Sequence, residues 1–113
     1  MSEHLPKVTL IDIIDSVSAV LEYSKEINYE TYLKDRKTRD AIYRNIEVMG
    51  EAANRLPEYF LNNYPDIPWN KIRSLRNVLI HGYDKIDDKI IWNIAVNVLP
   101  ALKIQLENLL EKL

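Results

Sequence analysis

In the stretch RSLRNVLIHGYDKIDDK, residues 73–89, Arg76 stands five positions before His81, and Tyr83 follows two positions after it. His81 is one of only two histidines in the chain. The free imidazole titrates nearest neutrality of the common side chains, so it can take or give a proton at physiological pH. The guanidinium stays charged and presents a planar fork of donors that matches phosphate oxygens. A proton carrier beside a phosphate clamp is what RNA cleavage without a metal requires: proton transfer at the 2′-hydroxyl or the leaving oxygen, and charge stabilisation on the phosphate. Along a helix, Arg76 and His81 are separated by ~7.5 Å of rise, close enough to reach one phosphate between them. Asn77 and His81 are four apart and share a face for as long as the helix lasts, which makes Asn77 a supporting polar group. With one glycine between them, an extended run from His81 to Tyr83 points both side chains the same way and puts the tyrosine hydroxyl at the mouth of the same cleft.

The same residues have a plainer reading. Arginine and histidine near a helix C-terminus interact favourably with the helix dipole, by ~0.3–1 kcal/mol each, and Tyr83 can pack its ring against the following helix. The functional reading also meets a shortage, because one chain offers one histidine here whereas a concerted acid and base take two groups. A symmetric dimer that brings two such helix ends together supplies two histidines and two arginines in one cleft. A homodimer is therefore part of the expectation.

The elements that must position this cluster read as helices nearly throughout. Leu10, Ile13, Ile14, Val17, Val20 and Leu21 recur at three and four, the signature of a helix with one buried face. NYETYLKDRKTRD follows as a polar, solvated connection that turns the chain. A second helix, with Arg39 and Asp40 at its start, carries Ile42, Ile46, Met49, Ala53 and Leu56 along one stripe. Pro57 suits the first turn of a short helix containing Tyr59, Phe60 and Leu61. NNYPDIPW is the clearest break. Pro68 suits the first turn of a fourth helix with Trp69, Ile72, Leu75 and Leu79 facing inward, ending at His81, Gly82 and Tyr83, where glycine commonly closes a helix. On this reading Arg76 and Asn77 lie in its last turns. Asp87 or Asp88 caps the last helix, which uses Ile91, Ile94, Ala95, Val98, Leu102, Leu106, Leu109 and Leu113 and is kinked at Pro100. The expected fold is all-α: an up-and-down bundle of four main helices plus a short one.

Composition narrows the function classes. The chain has 113 residues, 47% of them hydrophobic, which suits a single domain over residues 1–113 with a core that needs neither metal nor disulfide. It has no cysteine, so disulfides, thiolate catalysis and Cys-ligated zinc are excluded. MSEHLPKVTLIDIIDSV puts acidic residues where a signal sequence needs an unbroken apolar run, and no stretch approaches the ~18 apolar residues of a membrane span. A cytoplasmic location and no membrane partner are expected. The net charge of −2 argues against a large nonspecific nucleic-acid surface, so any RNA contact comes from a local patch, one that two chains can assemble together.

Other candidates read as structural. His4 falls in an N-terminus expected to be mobile. Asp84, Asp87 and Asp88 form an acidic cluster but lack the glycine and closing glutamate of a calcium loop, and no metal site is expected. Glu51 in MGEAA reads as a hydrogen bond that positions the fourth helix, and Asp40 as an exposed first-turn acid. The tyrosines between residues 23 and 64 read as core-edge residues rather than base-stacking platforms.

RNVLIHGY fits the R-x-x-x-x-H-x-Y signature of the HepT-like toxins, a branch of the HEPN domain superfamily, and the chain resembles that family further in MGEAANRL (residues 49–56), IPWNKIRSLRN (67–77) and IIWNIAVNVLPAL (90–102). The likeness is detailed over roughly the last two thirds of the chain and holds in pattern for the first helix. It implies a HEPN-like helical fold that dimerises so that paired motifs form one composite site. It implies a toxin acting as a metal-independent endoribonuclease on cellular RNA, with Arg76 and His81 catalytic and Asn77 the polar residue usual after the arginine. It further implies a partner, a small nucleotidyltransferase antitoxin of the MNT type, which transfers AMP from ATP to the motif tyrosine, Tyr83. ATP and magnesium would belong to that partner, leaving this chain without a cofactor. AMPylation would set a bulky negative group beside the phosphate-binding arginine and block RNA by sterics and like charge. A reading of a different class stays open: a non-catalytic helical subunit that docks a minimal nucleotidyltransferase and presents a nucleotide or substrate to it. A plain helical oligomerisation module is a third.

Overall fold

Two long amphipathic helices organise the core. The computed structural model describes residues 4–80 and 86–113. The chain runs α1 (His4–Ser24), α2 (Tyr29–Lys34), α3 (Arg36–Asn54), α4 (Glu58–Asn63), α5 (Trp69–Ser74), α6 (Asn77–Ile80) and α7 (Asp88–Asn93), then a π-helical segment (Ile94–Val98) and α8 (Leu99–Lys112). No strand occurs among the described residues, and the all-α bundle expected from the spacing is what forms. Leu10, Ile13, Val17 and Val20 of α1 and Ile42, Ile46, Met49 and Ala53 of α3 are fully buried. The contact between these two helices is the most extensive among the described elements. Each large aliphatic removed from water contributes ~1.5–3 kcal/mol, which makes this pair the platform on which the rest is assembled. α8 and the π segment pack on α1, and α5 packs on α3.

Several elements depart from the sequence reading. The polar stretch at residues 28–40 is helical, not a solvated connection. Asn28 caps α2 by accepting from the Thr31 amide at 2.9 Å. Asp35 both closes α2 and opens α3, accepting from the Thr38 amide at 3.1 Å and the Thr38 hydroxyl at 2.7 Å. Those two bonds hold its carboxyl below the usual range. Arg39 lies one turn inside α3 and donates to the carbonyls of Tyr32 and Leu33, satisfying the last turn of α2. Two local capping choices thus convert a polar run into a helix, and the side chain it carries inward is Tyr32, fully buried. α1 reaches back to His4, further than the apolar spacing indicated. Pro57 and Pro68 sit at the N-cap positions of α4 and α5, one step earlier than the first turn.

The fourth helix is not continuous. It breaks at Leu75 and Arg76 into α5 and α6, so Arg76 lies in a turn and Asn77 begins a new helix rather than ending the old one.

The last helix is interrupted upstream of Pro100. The Leu99 amide donates to the Ile94 carbonyl, five residues back, because proline at position 100 has no N–H and its ring crowds the carbonyl four residues before it. The extra residue in this turn rotates the rest of the helix about its axis. Val98, expected to face inward, is 42% exposed, and Leu99 takes its place at 0%. Leu102, Leu106 and Leu109 then continue the buried face as expected, while Leu113 at the end is exposed.

Candidate active site

The α5–α6 turn carries Arg76. It is made by short i→i−3 bonds: the Leu75 amide to the Ile72 carbonyl at 3.2 Å, Val78 to Leu75 at 3.2 Å and Leu79 to Arg76 at 3.1 Å. Upstream, the start of α5 is fixed by Trp69, whose buried indole packs on Phe60 at 6.0 Å between centroids and donates to the Tyr64 carbonyl at 3.0 Å. Arg73, three residues before Arg76, is committed to Glu58 of α4 at 2.9 Å. No carboxylate among the described residues lies within ion-pair distance of the Arg76 guanidinium. Arg76 itself is half-buried. Of two neighbouring arginines, Arg73 is paired with a carboxylate and Arg76 has no such partner among the described residues.

From beneath, α3 meets this turn at Gly50. A Cβ built there would lie 3.1 Å from the Arg76 amide nitrogen, 3.3 Å from Arg76 Cβ and 3.4 Å from the Ile72 carbonyl oxygen. The backbone of α3 and the backbone of the catalytic candidate are therefore in direct contact.

The chain returns from the motif at Ile86, and its return is fixed by a second cluster. Asp87 caps α7, accepting from the Lys89 amide at 3.0 Å. Asp88 does something else: it accepts from the hydroxyls of both Tyr32, at 2.8 Å, and Tyr43. Tyr32 also packs on Trp92 at 5.1 Å, with Tyr29 completing the aromatic group. Burial first, and then the bond to Asp88, push the Tyr43 phenol up to about 12, and the same causes raise the Tyr32 phenol further. Tyr43 and Gly50 are seven apart on α3, ~10 Å along one face of the helix. One helix thus holds both the residue that enters the motif and the residue that leaves it.

Of the expected site residues, Arg76 and the exposed Asn77 are adjacent at the α5–α6 turn. His81 and Tyr83 lie outside the described residues, as do Gly82 and Asp84. Glu51 has no hydrogen-bond partner among the described residues; the close contact with the α5–α6 turn is made by its neighbour Gly50. Asp40 is exposed and pairs with Arg36 at 3.6 Å, but α3 begins at Arg36, so Asp40 stands in the second turn and not in the first as expected. Sequence reasoning passed over Gly50, Tyr32, Tyr43 and the tyrosine-binding role of Asp88. A lone glycine in the middle of a helical pattern was the one local signal available.

An apolar groove of about 150 Å³ runs beside the turn, lined by Pro68, Ile72, Leu75, Val98, Ala101 and Leu102 among others. Its outer rim carries exposed Val98, and Ile104 further along α8 is 61% exposed. Among the described residues no group of three or more His, Cys, Asp or Glu side chains could hold a metal ion. None of the described helices is long and apolar enough to cross a membrane.

The family model described as "Ribonuclease HepT-like" matches residues 13–109. A relative from Methanocaldococcus jannaschii, named as a candidate RNase, is 41% identical over 80% of this chain and 75% of its own length. A second protein from that organism, named in the same way, is 35% identical over 95% of this chain and 98% of its own length. A protein named as a probable ribonuclease HepT, from Thermococcus cleftensis, is 35% identical over 88% of this chain and 91% of its own length. No solved structure matches the chain. The match spans all of α3, α1 from Ile13 onward and the whole Arg76–Tyr83 motif, and the chain belongs to the HepT-like ribonuclease family, an endoribonuclease class.

Proposed function

We propose that the chain is the toxin of a type II toxin–antitoxin pair and cuts RNA without a metal, through a composite site in which two copies each contribute Arg76 and His81. The observation that carries this reading is the state of Arg76: clasped by α3 at its backbone, held in a turn, and left without a carboxylate partner among the described residues, five positions before the histidine of the family motif. In the reaction, the neutral imidazole of one His81 takes the 2′-hydroxyl proton. The 2′-oxygen attacks phosphorus, the bond to the 5′-oxygen breaks, and the protonated His81 of the other copy gives its proton to that leaving oxygen. The two Arg76 guanidiniums bind the phosphate oxygens as charge develops there. The products are a 2′,3′-cyclic phosphate and a free 5′-hydroxyl. Asn77 supports the site from the first position of α6. The exposed apolar groove that begins at Leu75, next to Arg76, supports the pairing of copies, since a second chain seated there covers surface that water now meets. The cytoplasm, where cellular RNA is met, is the place of action.

Purified chain is expected to cleave single-stranded RNA in the presence of EDTA and leave cyclic phosphate ends, read by end-group analysis. Cleavage that EDTA stops, or the absence of any cleavage by a folded dimer, excludes this chemistry, the latter in favour of the binding-subunit reading.

Control is exerted at Tyr83. The phenolic oxygen attacks the α-phosphorus of ATP in the active site of an MNT-type nucleotidyltransferase, pyrophosphate leaves, and the tyrosine keeps AMP. Magnesium and ATP belong to that enzyme. The added phosphate sits two residues from His81 and competes with RNA for Arg76. A Tyr83→Phe chain is expected to arrest growth even when the antitoxin is co-expressed. Silencing of that variant as complete as that of the wild type would remove Tyr83 from the scheme.

A further inference from the structure

We infer that Gly50 is a positioning residue for the Arg76 guanidinium, an assignment that rests on the proposed role of Arg76. The glycine is not there for backbone freedom. It lies inside α3, and no glycine among the described residues adopts a positive φ. Glycine is among the poorest residues for a helix interior, so a requirement other than local conformation keeps it. That requirement is space. The three atoms that a Cβ at position 50 would meet are the Arg76 amide nitrogen at 3.1 Å, the Arg76 Cβ at 3.3 Å and the Ile72 carbonyl oxygen at 3.4 Å. Two are backbone atoms and the third is the root of the arginine side chain, so no rotamer change can relieve the contact.

Both sides of the contact are also held. On α3, Met49, Ala52 and Ala53 around the glycine are fully buried. On the other side, Trp69 and the Arg73–Glu58 pair fix α5, and the short bonds at Leu75, Val78 and Leu79 fix the turn. An added methyl group is relieved by a shift of the α5–α6 side as a unit, since its helices have six and four residues against the nineteen of α3. Arg76 is in the turn between them. The displacement needed is a few tenths of an ångström at the backbone, and it is transmitted to the guanidinium and to the angle at which it meets a phosphate. A misplacement of ~1 Å in a reacting group can cost ~10²-fold in rate, and a few tenths of an ångström a part of that.

Gly50→Ala tests the assignment. The variant gains helix propensity in α3 while losing the close approach, so its melting temperature stays within several degrees of wild type. Its kcat for RNA cleavage is expected to fall about tenfold or more, with KM changed by about twofold or less. In a double-mutant cycle, adding Gly50→Ala to Arg76→Ala should cost nothing further, because the group being positioned is already gone. Wild-type kcat in the Gly50→Ala chain, or a loss that multiplies undiminished onto that of Arg76→Ala, overturns the inference. If Arg76→Ala is inactive while Gly50→Ala is fully active, the inference alone fails. If Arg76→Ala cleaves at the wild-type rate, the role of Arg76 fails first and the inference goes with it. Should Gly50→Ala prove unfolded in plain buffer, trimethylamine N-oxide, which favours the compact state, restores the fold for the same assay, and the same rates then support or overturn the assignment.

Discussion

Arg76→Ala and His81→Ala chains are expected to lose RNA cleavage by at least about a hundredfold each while keeping their fold. A positioned general acid or base contributes ~10²–10⁴-fold in rate. Removing one donor aimed at developing charge costs ~10²–10³-fold. For Arg76 the structure gives the reason why the fold survives: the guanidinium has no ion-pair partner among the described residues, whereas the neighbouring Arg73 has one in Glu58. Arg73→Ala should therefore show the opposite pattern, a loss of stability with a smaller loss of rate. Arg76→Lys is informative because it keeps the charge but replaces a bidentate planar fork by a point cation; it should recover only part of the lost rate. The double variant Arg76→Ala/His81→Ala should be little worse than either single one, since residues that act in one step are not additive. Melting curves within a few degrees of wild type, together with these rates, are the expected set. Either single variant cutting at the wild-type rate would move the site elsewhere.

The second large effect concerns stability. Asp88→Ala should lower the melting temperature on the order of 10 °C, because it removes the carboxylate to which the hydroxyls of the buried Tyr32 and the half-buried Tyr43 both donate and leaves the two phenols only each other among the described residues. A buried donor left unsatisfied costs ~1–3 kcal/mol, and in a domain near this size each kcal/mol moves the midpoint by ~4–8 °C. Asp88→Asn retains an acceptor oxygen and should recover much of the loss. The same cluster sets an alkaline limit. Both phenols keep their protons in the folded chain to a pH above the ordinary ~10 of tyrosine, Tyr43 to about 12 and Tyr32 beyond that range. Above pH ~10 the unfolded chain releases phenolic protons that the folded chain retains, so the unfolded state binds fewer protons and stability falls as pH rises. Stability from this source is complete below pH ~10 and declines through the window up to about 12. Denaturant titrations between pH 8 and 11.5 read this slope, and Tyr32→Phe should flatten it. An unchanged slope in that variant would show that the alkaline transition arises at other groups.

The helical class, the inward faces of α1 and α3, and the order of the motif were legible from residue spacing alone. Ile42, Ile46, Met49, Ala53 and Leu56 share one stripe in the sequence and all are buried, because a 3.6-residue period is written in neighbours three and four apart. The Arg76–His81–Tyr83 run could be singled out as a candidate site for the same reason: its members are local. What escaped were contacts between distant positions and the breaks that those contacts impose. Leu75 and Arg76 sit in an apolar-periodic run that continues smoothly as a helix on paper; the break appears where the turn is seated on α3. The register shift at Ile94–Val98 exchanged Val98 for Leu99, although Pro100 had marked the neighbourhood. The stretch at residues 28–40 looked polar because its composition is, yet its caps and one buried tyrosine make it part of the bundle.

The amino-acid order by itself determined the fold class, the buried faces and the family signature, since each depends on residues within a few turns of one another. Tertiary structure decided how that signature is held. Gly50 touches the backbone of a residue 26 positions away, and Asp88 binds hydroxyls 45 and 56 positions away. Close approach and hydrogen bonding across such separations are set by how helices pack, and no period along the chain encodes them.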